Sequence, residues 1–204
     1  MKRRGLLLLA VPLLMGAFAS KGSAQAVPLG DISRYLNSLT TAVAEFTQIN
    51  PDGTISTGTV FIKRPGRVRF EYNPPEEALV MAGGGQVGVF DPKSDRGVER
   101  YPLNQTPLSI LLQRNVDLNR ARMVTAHTSD GQTTSVTAQD PDNPQYGNIK
   151  MVFTGSPVEL RQWIVTDDLG QQTTVILGDL VKGASIGDGQ FNIMSEMRRR
   201  GIEG

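Results

Sequence analysis

The stretch from Gly58 to Tyr72 reads G-T-V-F-I-K-R-P-G-R-V-R-F-E-Y and decides the fold. Apolar residues recur at every second position on either side of Arg64, Pro65 and Gly66, and a period of two residues is that of a β-strand. Proline at the second position of a turn and glycine at the third suit a tight reversal of the chain. The stretch therefore predicts two antiparallel strands joined by a short turn.

The same alternation predicts which side chains share a face. Val60 and Ile62 lie on the apolar face of the first strand, with Arg64 at its end. The apolar face of the second strand carries Val68, Phe70 and Tyr72. Its opposite face carries the charged residues Arg67, Arg69 and Glu71. We expect an apolar concave face with one arginine at its rim; the alternative for Arg64 is a solvated charge in a turn.

Short strands separated by proline, glycine or aspartate follow one another along the chain, which is typical of an antiparallel meander. The predicted strands are Ser56 to Lys63, Arg67 to Asn73, Ala78 to Ala82, Gln86 to Asp91, Gly97 to Tyr101, Arg122 to Thr128, Thr133 to Gln139, Asn148 to Phe153, Leu160 to Thr166, Thr173 to Val181 and Gln190 to Ile193. Val43 and Phe46 give the segment before them strand character as well.

Two segments have helical spacing instead. Apolar residues recur at steps of three and four between Leu29 and Leu39, and Pro107 opens a leucine-rich segment from Thr106 to Arg114. The fold class is therefore α+β and mainly β, with about eleven antiparallel strands and two short helices. A sheet of this kind with one concave face must close, pack on a second sheet or be covered, and the two helices are the obvious covers.

The first residues have the order of a signal peptide. Lys2, Arg3 and Arg4 precede an apolar run, and small residues around Ala24 and Ala26 offer a cleavage site. The run is shorter than the roughly 20 residues that a membrane span needs. We predict a signal peptide over residues 1–24, extending to 26 if cleavage follows Ala26, and a periplasmic location for a single domain over residues 27–204.

Composition narrows the class of protein further. The chain contains no cysteine, which excludes disulfides, thiolate metal sites and an N-terminal lipid-carrying cysteine of its own. Removal of the signal segment takes away four of the 21 basic residues and no acid, leaving a charge of about −3. A mildly acidic domain gives no reason to expect nucleic acid as a partner, and we expect a monomer. The basic residues 198–200 are interpreted as a solvated tail.

Several patterns resemble catalytic or cofactor sites without their structural context. Gly83, Gly85 and Gly88 match G-x-G-x-x-G, but a strand follows them where the dinucleotide fold needs a helix, so a glycine-rich hairpin is predicted. His127 is the single histidine, and no nucleophile motif accompanies it. It is interpreted as a surface or edge-strand residue. We expect no enzymatic activity, no cofactor and no metal.

The stretch Gly58–Tyr72 closely resembles the strand pair of the periplasmic outer-membrane lipoprotein carrier family, the LolA family. Further matches occur in the same order along the chain: Phe46-Thr47-Gln48, Pro74-Pro75, Asp91-Pro92 and Thr106-Pro107-Leu108. The resemblance is specific from Asp31 to about Leu112, and beyond that only the strand rhythm and the length agree. Gly88 departs from members that have a large residue at this place, which leaves the cavity size open.

The resemblance implies an incomplete antiparallel β-barrel with a helical lid over a hydrophobic cavity for the acyl chains of lipoproteins. It implies cargo received from an inner-membrane ATP-driven extrusion complex and given to an outer-membrane acceptor. Arg64 matches the arginine that is associated in the family with holding the lid closed. The expected acyl-chain-binding residues are Val60, Ile62, Val68, Phe70, Tyr72, Val89, Leu108, Leu111 and Leu112.

Two other functions fit parts of the pattern. The same half-barrel can serve as a lipid- or polypeptide-sensing module of envelope regulation, although no further domain through which a signal could pass is evident in the sequence. An enzyme acting on fatty or glycolipid substrates would need a catalytic set that the sequence does not offer. The carrier function is therefore the preferred prediction.

Overall fold

A computed structural model describes residues 25–94 and 97–202, so the predicted signal peptide lies outside the described residues. The strands are, in chain order, β1 (Thr41–Ile49), β2 (Ile55–Lys63), β3 (Arg67–Tyr72), β4 (Leu79–Gly83), β5 (Gln86–Phe90), β6 (Val98–Pro102), β7 (Val124–Ser129), β8 (Thr133–Gln139), β9 (Asn148–Thr154), β10 (Glu159–Thr166), β11 (Gln172–Leu177) and β12 (Val181–Lys182). The helices are α1 (Leu29–Ser38), α2 (Leu108–Leu112) and α3 (Ile193–Arg199).

The strands form one antiparallel sheet in the order β6-β5-β4-β3-β2-β1-β11-β10-β9-β8-β7, and β12 pairs with β1 outside this path. The early and late parts of the chain meet in the middle of the sheet, where Phe46 of β1 is paired with Leu177 of β11. Because β6 and β7 end the order without pairing with each other, the barrel is incomplete. The predicted fold class is confirmed, with twelve described strands instead of about eleven.

The pairing of β2 with β3 is the one that the alternation predicts. Lys63 is opposite Arg67 across the turn, and Val60 is opposite Phe70. Gly66 has a φ of 72°, a left-handed conformation that glycine adopts without steric cost. The turn chemistry and the two-residue period therefore fix the register of this pair.

Two helices cover the concave face of the sheet. Ile32 and Leu36, one helical turn apart on α1, are fully buried, as expected for the apolar side of an amphipathic helix. The residue before α2 is Pro107, as predicted, and three of the five residues of α2 are buried. Both helices join the same apolar core as the concave residues of the sheet. They occupy the places in which the sequence predicts covers.

The predicted strand Gln190 to Ile193 is wrong, because the chain there forms a 3-10 turn over Asp188–Phe191 and then enters α3. The side chain of Asn192 accepts a hydrogen bond from the Ser195 N–H at 2.9 Å and caps the helix. This third helix packs on the convex face of the sheet. A second apolar cluster forms there from Leu79, Met81, Phe90, Ile193 and Met197.

A buried ion pair fixes α3 to the sheet. The Arg69 guanidinium lies 3.1 Å from the Glu196 carboxylate, and both side chains are less than a tenth exposed. Arg199, the last residue of α3, and Arg200, directly after it, pair with the same carboxylate. Residues 198–200 are exposed, as a solvated tail would be, but they lie in and directly after α3, and a helix periodicity of three and four brings Arg199 and Arg200 to Glu196.

Candidate functional site

The concave face of β2 and β3 is continuous and apolar. Val60, Ile62, Val68 and Phe70 are all buried, with at most 5% of their surface exposed. They form two cross-strand pairs, Val60 with Phe70 and Ile62 with Val68. The structure therefore brings together the residues of this strand pair that the alternation predicts for the site.

Aromatic rings extend this face across the sheet. Phe70 packs edge-on against Phe46 of β1 at 5.4 Å and against Trp163 of β10 at 6.2 Å, measured between ring centroids. Tyr72 contacts Phe46 in the same way at 5.2 Å. Edge-to-face geometry is a favourable arrangement for aromatic pairs. The apolar face thus spans strands from both the early and the late part of the chain.

Sequence reasoning missed Trp163 as a site residue because a β-bulge shifts the register of β10. The pairing with β9 changes register between Leu160 and Gln162, so that Leu160 and Trp163 both reach the core, three positions apart. Strict alternation from Leu160 would place Trp163 on the opposite face. A bulge inserts one residue and reverses that relation.

The far end of the concave face is polar. The Tyr72 hydroxyl donates a hydrogen bond to Gln48 Oε1 at 2.7 Å. Burial raises the pKa of Tyr72 to about 12, against the smaller opposing effect of the hydrogen bond with Gln48. The phenol therefore stays neutral at ordinary pH, so the apolar surface ends at a polar group that carries no charge.

Short helices cover the apolar face. Leu111 and Leu112 of α2 are buried in the same core as β2 and β3, and Leu108 packs against that core while partly exposed. A helix of five residues is too short to be stable alone, so its packing on the sheet holds it in place. In this closed arrangement, the leucines of α2 and the apolar side chains of the concave face therefore shield each other from water.

Arg64 connects the sheet to this cover. Its side chain is 8% exposed, and Nη2 donates to the main-chain carbonyl of Gln113 at 2.5 Å, directly after α2. A longer contact of 3.5 Å joins the same nitrogen to Asn37 Oδ1 of α1. Burial lowers the pKa of the Arg64 guanidinium below its ordinary value, and its Nε has no hydrogen-bond partner among the described residues. The alternative of a solvated turn charge is wrong.

Asn37 links the two covering elements and was not expected from the sequence. Its Nδ2 donates to the Val116 carbonyl at 2.9 Å, and its Oδ1 accepts from the Val116 N–H at 2.8 Å. Because these partners are far apart in sequence, no local pattern could indicate the pair. Arg64, Asn37, the Gln113 carbonyl and Val116 together make one polar contact between the sheet, α1 and the segment after α2.

Val89 lies at the margin of the site. Val87, two residues before it, is buried in the concave core, but Val89 is only partly buried and does not belong to that cluster. The two neighbours of Val89 on adjacent strands are Val80 and Glu99. The structure therefore separates Val89 from the other predicted site residues, because β5 is close to the open edge of the sheet.

The described residues were also compared with a metal site, a membrane span, a dinucleotide motif and a catalytic histidine. No group of three side chains suited to a metal ion occurs within residues 25–94 and 97–202. Among the helices of this part of the chain, none is both long and apolar enough to cross a membrane. Gly84 and Gly85 have positive φ angles in the turn between β4 and β5, which confirms the glycine-rich hairpin. His127 lies exposed on β7, an edge strand, as predicted.

Known proteins share this sequence pattern. An outer-membrane lipoprotein carrier protein of Azotobacter vinelandii is 25% identical over 191 residues, which cover 88% of this chain and 91% of that protein. Its counterpart in Methylococcus capsulatus is 33% identical over 89 residues, 41% of this chain and 42% of that protein. A solved domain of a putative outer membrane lipoprotein-sorting protein from Vibrio parahaemolyticus is 10% identical, with a TM-score of 0.46, and the match covers 80% of this chain and 94% of that one.

The match to a family model covers far more of the chain than the stretch from Gly58 to Tyr72. The family described as "Outer membrane lipoprotein carrier protein LolA" matches residues 37–194, which include β1 to β12, the Arg64 turn, α2 and the start of α3. Most of the described chain therefore follows the pattern of that family, and the protein belongs to the LolA family of outer membrane lipoprotein carrier proteins.

Proposed function

We propose that this protein is a periplasmic carrier that binds the acyl chains of lipoproteins on its concave face and moves them from the inner to the outer membrane. The family comprises carriers and not enzymes. The observation that carries the proposal is the apolar face formed by β2, β3 and the aromatic rings beside them. It is covered by short helices that a few polar contacts connect to the sheet.

The physical need for such a face follows from the cost of exposing acyl chains to water. Each buried CH₂ group contributes about 0.8 kcal/mol, so one chain of about 16 carbons represents on the order of 12 kcal/mol. A lipoprotein therefore cannot leave a membrane unless another apolar surface replaces it. The concave face provides that surface once its cover moves.

Access requires movement of the lid, defined here as α1, α2 and residues 113–123. Val60 and Ile62 are at most 1% exposed beneath it, so no ligand reaches them in the closed arrangement. When α2 moves away, its leucines leave the sheet, and an acyl chain can pack in their place. Opening and loading are then coupled, because the ligand covers the apolar surface that the open lid exposes.

The proposed binding residues are Val60, Ile62, Val68, Phe70, Tyr72, Val89, Leu108, Leu111 and Leu112. Val89 is the outermost of them, and a chain that extends past the edge of the core would reach it. Phe46 and Trp163 join the set because their rings continue the face. Arg64 acts as the latch, because its bond to Gln113 is made when the lid is closed.

The partners follow from the same proposal. An inner-membrane ATP-driven extrusion complex delivers the lipoprotein, and an outer-membrane acceptor takes it. Residues 1–24 are the signal peptide that directs the chain to the periplasm, and the mature protein starts at Gln25 or Val27. Intact mass of periplasmic protein that retains residues 1–19 would contradict this part.

The test is to identify what the protein carries. Protein purified from the periplasm without detergent is extracted and digested, and mass spectrometry searches for peptides with an acylated N-terminal cysteine. We expect these peptides in the extract, and Ile62→Asp, which places a charge on the concave face, should lose them. The matched control is Lys63→Asp, whose side chain lies on the opposite face. Extracts without acylated peptides, together with an apolar fluorescent probe that stays dark on the folded protein, would refute the function.

A further inference from the structure

The last strand of the sheet, β7, has an open outer edge. It pairs with β8 on one side, and in the described part of the chain no strand pairs with its other side. Side chains from Thr125 to Ser129 are exposed, and Val124 is half-buried. An extended, open edge of this kind presents main-chain groups that can pair with another strand.

The two edges of the sheet differ in how they are protected. The β6 edge contains Glu99, Arg100 and Pro102, and charges and proline are devices that prevent strand pairing. The sequence of β7 is V-T-A-H-T-S, without proline, carboxylate, lysine or arginine. A bulge between Val124 and Ala126 makes the start of β7 irregular, but residues 126–128 pair with β8 in regular register. These three residues carry none of the charges or prolines that protect β6, so this part of β7 is left able to pair.

The position of β7 connects this edge to the lid. Residues 113–123, the last part of the lid, lead directly into β7, and Val116, Leu118 and Met123 of this segment are buried in the concave core. The Met123 carbonyl accepts a hydrogen bond from the Gln139 N–H at 2.9 Å, where the segment joins the sheet. Anything that leaves the concave face past this segment therefore meets the start of β7.

We propose that the outer edge of β7 binds the extended polypeptide that follows the acylated N-terminus of the cargo, by adding it to the sheet as a further strand. This inference rests on the proposed carrier function. In strand addition the affinity comes from main-chain hydrogen bonds, which every polypeptide can make. A carrier of different lipoproteins can recognise only what they share, namely acyl chains and a peptide backbone.

The side chains of β7 suit a partner of variable sequence. Thr125, Ala126 and Thr128 are small and uncharged, so a neighbouring strand of either charge meets no like charge opposite it. β-Branched threonines also favour the extended conformation that pairing requires. The edge therefore accepts a strand without selecting its side chains, and the acyl chains remain the group that decides binding.

The absence of cysteine from the sequence makes the proposal directly testable. Thr128→Cys places one thiol on β7, and the matched control Arg100→Cys places one on β6. A synthetic diacylated peptide with an N-terminal thioether-linked cysteine and eight further residues carries a free cysteine at each position in turn. We expect mixed disulfides with Thr128→Cys at alternate peptide positions, and little cross-linking with Arg100→Cys, because a strand repeats every two residues.

A second arm measures the main-chain contribution without changing the protein. The same acylated peptide is N-methylated at the alternate amides that would point toward β7, along one edge of the added strand, and its affinity is compared with that of the unmethylated peptide. We expect about tenfold weaker binding from the loss of one or two main-chain hydrogen bonds. Methylation of the other set of amides, which would point away from β7, should change the affinity little.

The outcomes separate this inference from the carrier function. Equal affinity of all three peptides, or cross-linking without a two-residue period, would overturn strand addition and leave the carrier function intact. Failure of the unmethylated acylated peptide to bind would overturn both. Disulfide-linked dimers of Thr128→Cys in the absence of peptide, with a dimeric mass in solution, would assign the edge to a second copy of this chain and also overturn the proposal.

Discussion

Replacement of Arg64 by leucine is the sharpest test of the latch. The substitution removes the hydrogen bond from Nη2 to the Gln113 carbonyl and the long contact to Asn37, while the two hydrogen bonds between Asn37 and Val116 do not involve the replaced side chain. Leucine also adds apolar surface at the rim. We therefore expect a lid that opens more readily on a domain that still folds.

The size of the effect follows from these interactions. A hydrogen bond to a charged group contributes about 1.5 to 3 kcal/mol to stability, and 3.5 Å is too long for the contact with Asn37 to add a full second bond. The buried Nε without a partner costs free energy in the closed state, which reduces the net contribution of Arg64. We expect the ratio of open to closed protein to rise by about tenfold, and by no more than about a hundredfold.

The assay is the transfer of a fluorescently labelled lipoprotein from purified carrier to outer membranes. Arg64→Leu should load at least as well as the parent protein and release more slowly, because the closed empty state that follows release is less stable. Arg67→Leu is the matched control: it removes the arginine directly after the same turn, at the start of β3, which pairs with exposed Asp188 on the other face. Arg64→Leu that melts normally and transfers as fast as the parent would refute the latch.

Three further tests, two substitutions and one change of pH, concern the stability of the sheet and of α3. Glu196→Gln should lower the free energy of unfolding by up to about 3 kcal/mol, since it leaves buried Arg69 without its buried carboxylate, and an unchanged urea midpoint would contradict this. Burial raises the pKa of Glu196, but hydrogen bonds from Arg200 and Arg69 outweigh it and hold the pKa below its ordinary value of 4.5. Its stabilising contribution is therefore complete above about pH 4.5 and is lost as the pH falls through the folded-state pKa; thermal melts of the parent should decline there more steeply than those of Glu196→Gln. Gly58→Ala should destabilise the sheet by about 1 to 3 kcal/mol or more, because the added Cβ would lie 2.0 Å from a β3 carbonyl oxygen; Gly155→Ala, with open space around it, should melt like the parent.

The local part of the structure could be predicted from the sequence. The two-residue period and the Arg64-Pro65-Gly66 turn indicate both strands of the central pair, their register and their apolar face, because all of these depend on residues close together in the chain. The covers over that face also follow from local spacing. Arg64 could be placed at the rim, but its partner in the lid required the resemblance to a known family.

The features that sequence reasoning missed depend on distant partners or on irregularities without a local signal. Trp163 faces inward because of a bulge in β10 that no residue type marks, and Asn37 acts through a partner 79 positions away. The C-terminal segment, with its predicted strand from Gln190 to Ile193, instead leads into α3. Its helix depends on the Asn192 cap and on packing against the convex face, which only the folded sheet provides.

The pairing of β1 with β11 has a consequence for how this protein must fold. Strand β1 lies in the middle of the sheet, yet one of its two long neighbours is among the last segments to be synthesised. Bringing β1 and β11 together closes a loop of more than a hundred residues, which is entropically costly and slow. A chain that appears N-terminus first cannot complete its barrel until almost all of it is available, and until then the edge of β1 at Phe46 stays open. The strand pair that joins the two halves of the sheet therefore delays the end of folding until nearly the whole chain is present.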